Sequence, residues 1–134
     1  MGYNFVWSAP SAGAPIVTIA TYGITFNSSS IEVLRRPTKV MIGFDDKQKV
    51  IGVKPLYEKG ENEIKSFPFA ERERNGYVRI GNKDFIKYVS SRTEIDFTTS
   101  KKYFAHWDDN EQLLIIKLDE PIDDFSKEHE EEDD

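Results

Sequence analysis

The sequence contains no cysteine and only two histidines among its 134 residues. The lack of thiols excludes disulfide scaffolds, thiol nucleophiles and cysteine-ligated zinc, and it is compatible with the reducing cytoplasm in which we expect the protein to lie. No apolar run approaches the about 20 residues of a membrane span. No basic segment followed by an apolar stretch precedes the alanines near the N terminus, so we expect neither a signal peptide nor a membrane partner.

Groups that carry catalysis are also scarce. The chain has no glycine-rich phosphate loop, dinucleotide fingerprint or nucleophile elbow. His106 lies in a predicted strand and His129 in an acidic run, and neither has a partner signature for acid–base chemistry. The Asp-Asp pairs at 45–46 and 108–109 fall in predicted hairpin loops, where aspartate favours the turn and calcium-loop spacing is absent. We therefore expect no enzyme, no metal and no cofactor.

The net charge of −6 is unevenly distributed along the chain. Residues 1–118 carry 17 Lys and Arg against 14 Asp and Glu, whereas residues 119–134 carry one Lys against ten acids. Such an acidic run repels itself and has little apolar area to bury. We predict an irregular N-terminal arm at 1–15 with Phe5 and Trp7 as anchors, one domain at 16–118, and a disordered acidic tail at 119–134.

The domain is predicted to be α+β and rich in strands. Residues 16–26 alternate in polarity, as one or two strands do. Asn27 and the serines after it read as a helix cap, and the short helix must end before Pro37. A hairpin with a polar loop follows. After a linker at 57–75, with a short strand near residues 64–69, the same order of strand, cap, helix and hairpin returns, with a strand-like TEIDFT segment before the last hairpin.

This repeated order predicts an internal duplication. Ile31 and Leu34 align with Phe85 and Tyr88 at an offset of 54, and the Phe-Asp-Asp at 44–46 aligns with the Trp-Asp-Asp at 107–109 at an offset of 63. Similar polarity can also arise by chance in two unrelated stretches. The shared order and the matched apolar positions favour two related β-α-β-β units at 16–56 and 76–118. The sequence leaves open whether the units share one barrel or form two small sheets.

The stretch ITFNSSSIEVLRRPTKVMIGFDDKQKVIGVKP resembles the AbrB/SpoVT/MraZ swapped-hairpin family. In that family a strand also ends at a helix cap, a short helix turns Ile and Leu inward, and a hairpin ends in Lys-Pro, here Lys54-Pro55. The resemblance implies that the two units close into one swapped-hairpin-like barrel with two short helices, a form that removes edge strands. It also implies a DNA-binding transcriptional regulator.

Basic residues near both helices are the candidate contacts with duplex DNA. Arg72 and Arg74 alternate with Glu71 and Glu73, which weakens them as candidates. Lys83 and Lys87 are spaced to share one exposed helix side. By their position relative to the family's DNA-contacting arginines, or by lying next to them, the predicted nucleic-acid-binding residues are Arg35, Arg36, Lys39, Arg79, Lys83 and Lys87.

Two functions stay open at this stage. The first is a regulator that binds DNA and is restrained by its acidic tail, which competes with phosphate for the basic face. The second is a non-enzymatic module or assembly subunit that binds a protein partner through the barrel, the aromatic arm or the tail. An excess of only three positive charges over residues 1–118 is a modest electrostatic footprint, and an oligomer is compatible with either function.

Overall fold

The computed structural model describes residues 2–5, 13–57 and 65–122 of the chain. These residues form eight strands and two α-helices. In chain order they are β1 (Ile16–Ala20), β2 (Gly23–Phe26), α1 (Ser28–Val33), β3 (Lys39–Asp45), β4 (Val50–Leu56), β5 (Phe67–Pro68), a 3₁₀ helix (Ala70–Arg72), β6 (Val78–Gly81), α2 (Lys83–Thr93), β7 (Lys101–Asp108) and β8 (Leu113–Ile122).

The strands make one antiparallel sheet that curls into a nearly closed barrel. Their order is β5-β3-β4-β8-β7-β1-β2-β6, so the two strands at its ends, β5 and β6, are consecutive in the chain. The 3₁₀ helix connects them and packs on β6. The ring of Phe69, just before this helix, meets the ring of Phe26 of β2 edge-on, with centroids 5.2 Å apart. The predicted β-rich barrel with two helices is confirmed.

The core fills the interior of the barrel. Alternate residues of each strand point inward, as the period of two requires. Phe26, Ile51, Val78 and Tyr103 are fully buried in this way, and Ile31 and Leu34 of the α1 region are buried in the same core. No helix among the described residues is both long and apolar enough to cross a membrane.

The hairpins β3–β4 and β7–β8 have the same register and the same turn. Asp45 lies opposite Val50 in the first, and Asp108 lies opposite Leu113 in the second. In each turn the aspartate Oδ1 accepts hydrogen bonds from the backbone amides two and three residues further on, at 2.9 and 3.1 Å. These two aspartates are therefore turn residues, as their position in the sequence indicates.

The two helices begin with the same cap but are related by a different offset from the predicted one. Asn27 Oδ1 accepts a hydrogen bond from the Ser30 amide at 3.0 Å, and Asn82 Oδ1 accepts one from Phe85 at 3.3 Å. The caps lie 55 residues apart, one more than the predicted offset of 54. Counted from the caps, the positions of the buried Ile31 and Leu34 match the buried Ile86 and Val89, whereas Tyr88, which the sequence matched with Leu34, is 52% exposed.

The folded domain continues beyond its predicted end at residue 118. Strand β8 runs to Ile122, which lies opposite Lys102, and Pro121 lies opposite Tyr103. Asp119 and Glu120 were assigned to the tail by their charge, but both are exposed and cost the strand no buried charge. The predicted disorder at 123–134 lies outside the described residues.

Three other segments complete the comparison with the sequence. Residues 13–15 of the predicted arm are irregular, as expected, and their carbonyls accept bonds from Ser29 Oγ, Asn27 Nδ2 and the Ala105 amide. Phe5 is 62% exposed, and Trp7 lies outside the described residues. The predicted strand at 93–98 is absent, since Thr93 still belongs to α2 and the chain then passes through the left-handed Glu94 and inserts Phe97 into the core.

Candidate nucleic-acid interface

The outer face where β2 meets β6 carries a polar pair at its centre. Thr25 lies directly opposite Arg79, while their neighbours Ile24, Phe26 and Val78 point inward. Because side chains alternate along each strand, Thr25 and Arg79 project from the barrel.

A depression of about 750 Å³ covers this part of the surface. Three arginines and one glutamate give it an excess of positive charge. We call it the arginine groove, and it is lined by Thr25, Glu71, Arg72, Arg74, Tyr77 and Arg79.

Arg74 is held in place by backbone carbonyls. Its Nη1 donates to the carbonyl oxygens of Glu71 and Glu73, both at 2.9 Å. Its backbone also pairs with Tyr77, through N–O distances of 2.8 and 3.0 Å. Few rotamers remain to be fixed when an anion binds such a guanidinium, so the entropy cost of binding is low.

The neighbouring glutamate does not neutralise Arg74 in the way that the alternating sequence indicated. The carboxylate of Glu73 pairs with Arg36, with an Nε–Oε1 distance of 3.3 Å. Of the two glutamates, only Glu71 lines the arginine groove. The ion pair with Glu73 therefore reduces the charge that Arg36, a predicted contact, can offer to a ligand. It leaves the charge of Arg74, which the sequence had counted as a weaker candidate, without a pairing to Glu73.

Arg79 is held against an aromatic ring. Its guanidinium carbon lies 4.4 Å from the centroid of the Tyr22 ring, which is within cation–π distance. The Tyr22 hydroxyl lies 3.4 Å from Thr25 Oγ1, which fixes the ring along β2. Neither Arg79 nor Arg72 forms an ion pair with any residue that the structure describes. Their charges are thus available to a ligand.

Positive charge decreases from the arginine groove towards α2. A second depression of about 520 Å³ is shared by Arg79, Lys83 and Asp84. A third, of about 600 Å³, joins Lys83 and Lys87 with Asp84 and Asp96. The Thr98 hydroxyl and amide donate to the Asp96 carboxylate and lower its pKa, so this acid stays charged. The two lysines of the helix are therefore balanced by two carboxylates.

The structure brings together part of the predicted set. Arg79 and Lys83 are neighbours, and Arg36 reaches the loop behind the arginine groove through Glu73. Arg35 and Arg36 follow α1 in left-handed backbone conformations, with φ of 62° and 45°. Lys39 lies half-buried opposite Pro68 at the start of β3. The other three predicted residues line neither the arginine groove nor the depression beside it, and they are not part of the Arg36–Glu73 ion pair. They are Arg35, Lys39 and Lys87.

Sequence reasoning missed Arg72, Arg74 and the aromatic component of the site. Tyr77 is 54% exposed and directly precedes β6, two residues before Arg79. The period-two pattern Tyr-x-Arg in a predicted strand was the available signal. The position of Arg72 depends on the 3₁₀ helix, which the polar linker did not reveal.

The arrangement is suited to phosphate. A guanidinium offers a planar fork of N–H donors that matches two oxygens of one phosphate group, and the Thr25 hydroxyl adds a neutral donor. An exposed tyrosine ring beside such a cluster offers a surface for a sugar or a base. Within the described ranges, no three Asp, Glu or His side chains gather where they could hold a metal ion.

No known protein family, curated protein or solved structure matches this chain.

Proposed function

We propose that the protein is a DNA-binding regulator that contacts the duplex backbone through the arginine groove. The observation that carries this proposal is the convergence of Arg72, Arg74 and Arg79 beside Thr25 and Tyr77 on one outer face. Lys83 extends the same face, and Arg36 reaches the loop behind it through its ion pair with Glu73. Arg74 is positioned by backbone carbonyls and Arg79 by the Tyr22 ring and by strand pairing, which favours an ordered anionic partner over loose counterions.

The barrel topology supports the AbrB-like part of the proposal. If β1–β4 form the first unit and β5–β8 the second, the sheet order alternates between the units two strands at a time. The β3–β4 hairpin then lies between β5 and β8 of the other unit, and the β7–β8 hairpin lies between β4 and β1. Two further features support duplication, namely the shared hairpin register and the paired asparagine caps.

The strongest contribution to affinity is expected from charge. Each cation that neutralises a phosphate releases a counterion, so binding should weaken steeply as salt rises. Residues 123–134 carry eight acids and one lysine, and we propose that they compete with phosphate for the arginine groove. Sequence preference, if the protein has one, requires base contacts in addition to these backbone contacts.

Fluorescence anisotropy with a labelled duplex tests the proposal on the full chain. The double variant Arg72→Ala/Arg79→Ala should bind at least about tenfold more weakly, and the slope of log K against log salt should fall by about two. The matched control is Lys47→Ala/Lys102→Ala, which removes the same charge from exposed positions outside the arginine groove. Equal losses in both variants would reduce the effect to net charge and reject the site.

The alternative is a protein-interaction module. If the wild type fails to bind duplex DNA even at low salt, the regulator proposal fails. One observation favours the alternative independently of DNA binding, because a second exposed face of the barrel, over β3, β4 and β8, has an apolar centre.

A further inference from the structure

The outer face of β3, β4, β8 and β7 lies on the opposite side of the barrel from the arginine groove. The seam between β4 and β8 is four strands from the seam between β2 and β6 in either direction. A groove of about 740 Å³ runs over this face. Its floor includes Met41, Val50, Leu113 and Ile115, all partly exposed and none counted in the buried core.

Two glycines lie side by side in the middle of this face. Gly43 of β3 is the direct partner of Gly52 of β4, and neither has a positive φ. A Cβ atom added at Gly43 meets nothing within 4 Å, and one added at Gly52 first meets Leu113 Cδ1 at 3.7 Å. Backbone conformation and internal packing thus both accept a side chain at these positions.

Glycine weakens a strand, so this pair calls for a reason outside the isolated barrel. Because Gly43 and Gly52 have no side chains, they leave a flat strip, here called the glycine strip, at which another backbone or surface can approach closely. Val, Ile or Thr at these outward positions would favour the strands more. The pair therefore marks a contact surface.

The charges around the strip have both signs. Lys54 and Lys117 flank its centre, and the hairpin turns at its two ends carry Asp45, Asp108 and Glu111. A surface with both lysines and carboxylates around an apolar centre is complementary to a second copy of itself. It suits a polyanion poorly, because the acids at both ends repel it.

We propose that two copies of this chain associate through this face, with the glycine strip at the centre of a two-fold symmetric contact. In such an isologous contact, the lysines of one copy meet the carboxylates of the other. The proposal does not rest on DNA binding. If both hold, the dimer carries its two arginine grooves on opposite outer sides.

Sedimentation velocity on the full chain over a concentration series tests the dimer. The wild type should shift from monomer to dimer as concentration rises. The variant Gly43→Val/Gly52→Val should raise the dimer dissociation constant by about tenfold or more. At a concentration at which the wild type is monomeric, the melting temperature of the variant should equal or exceed that of the wild type, because valine favours an exposed strand position. That combination separates loss of contact from loss of folding.

Two further variants complete the design. Thr18→Val, an outward position on β1, is the matched control and should dimerise as the wild type does. Lys54→Glu/Lys117→Glu leaves acids alone around the strip and should also dissociate the dimer while the fold persists. A wild type that is monomeric at every concentration overturns the proposal, as does a folded valine variant that dimerises unchanged. The first result leaves the face to a different protein or to the terminal segments of this chain, and the second places the dimer contact on another face.

Discussion

Arg92, in the last turn of α2, donates from Nε to Oδ2 of Asp46 in the β3–β4 turn at 2.9 Å, and Nη2 donates to the same oxygen. The two residues are 46 positions apart in the sequence. Lys49 Nζ adds a bond to Asp46 Oδ1 at 2.7 Å and one to the Arg92 carbonyl at 3.1 Å. The turn of the first hairpin is thereby fixed to the end of the second helix.

This cluster predicts an acid-sensitive contribution to stability. The hydrogen bonds from Arg92 and then Lys49 lower the pKa of Asp46 below its ordinary 3.8. A lowered pKa means that the contribution is present above 3.8 and is lost as pH falls through the folded value. Asp46→Asn should therefore lower stability to urea at neutral pH by a small amount, because the cluster is exposed. The difference from wild type should vanish in strong acid, whereas a difference that persists there would show that Asp46 stabilises the fold through something other than its charge.

Tyr103 predicts a stabilising substitution. Its side chain is fully buried, and its hydroxyl has no hydrogen-bond partner among the described residues. Burying an unpaired hydroxyl costs about 1–3 kcal/mol, so Tyr103→Phe should raise the free energy of unfolding by about 1 kcal/mol. Urea unfolding measures the change, with the exposed Tyr88→Phe as a neutral control. A loss of stability on Tyr103→Phe would instead reveal a partner for the hydroxyl.

The same burial predicts alkaline unfolding. Desolvation raises the pKa of Tyr103 to about 12 from the ordinary 10.0. A raised pKa means that the stability it contributes is complete below pH 10 and is lost as pH rises through 12. Tyrosinate absorbance and circular dichroism followed together should show the Tyr103 phenol ionising as the fold is lost. In Tyr103→Phe that joint step should weaken.

Gly23 predicts a severe substitution. Its φ is +153°, and a Cβ atom there would lie 2.0 Å from the Ile80 carbonyl oxygen across the β2–β6 seam. Gly23→Ala must push these strands apart, and we expect a loss of about 3 kcal/mol or more. Thermal unfolding tests this against Gly43→Ala, where the added methyl meets nothing within 4 Å. Similar effects at both sites would contradict the close approach of the strands.

The acidic segment predicts a gain of DNA affinity on truncation. A chain ending at Ile122 keeps all of β8 and loses seven net negative charges. It should bind duplex DNA more tightly than the full chain at low salt, and the two should converge as salt screens the competition. Circular dichroism must first show that the shorter chain is folded. A constant difference at all salt concentrations would argue against competition by charge.

Much of the fold could be predicted because local signals agreed with it. The alternation at 16–26, the asparagine cap before α1 and the Asp-initiated hairpin turns each appear in the structure at their predicted places. The offset of 54 matched Leu34 with the exposed Tyr88, because polarity alone does not fix the position of a helix cap to within one residue. The prediction that the domain ends at residue 118 was wrong, because exposed charges are as typical of a strand at the surface as of an acidic tail.

The candidate site was less predictable than the fold. Whether Arg74 can offer its charge to a ligand depends on where the Glu73 carboxylate points. That direction depends in turn on Arg36, nearly forty positions earlier. Arg79 was identified by its position next to a helix, but its contact with Tyr22 joins β6 to the turn before β2, which is more than fifty residues earlier in the chain. Alternating charges in a linker do not indicate which neighbouring side chains will point away from each other in the folded protein.

The strand order has a consequence for how the chain reaches its fold. Strand β1 is the first to leave the ribosome, yet Ile16 must wait for Phe104 before its second neighbour exists. Strand β4 likewise waits for Ile116. One edge of β1 and one edge of β4 therefore stay unpaired until the last two strands have been synthesised. Such exposed edges are prone to misassociation. Closure requires contacts distant in sequence, so folding should be slow for a chain of this size, and insertion of the β7–β8 hairpin should be its final cooperative step.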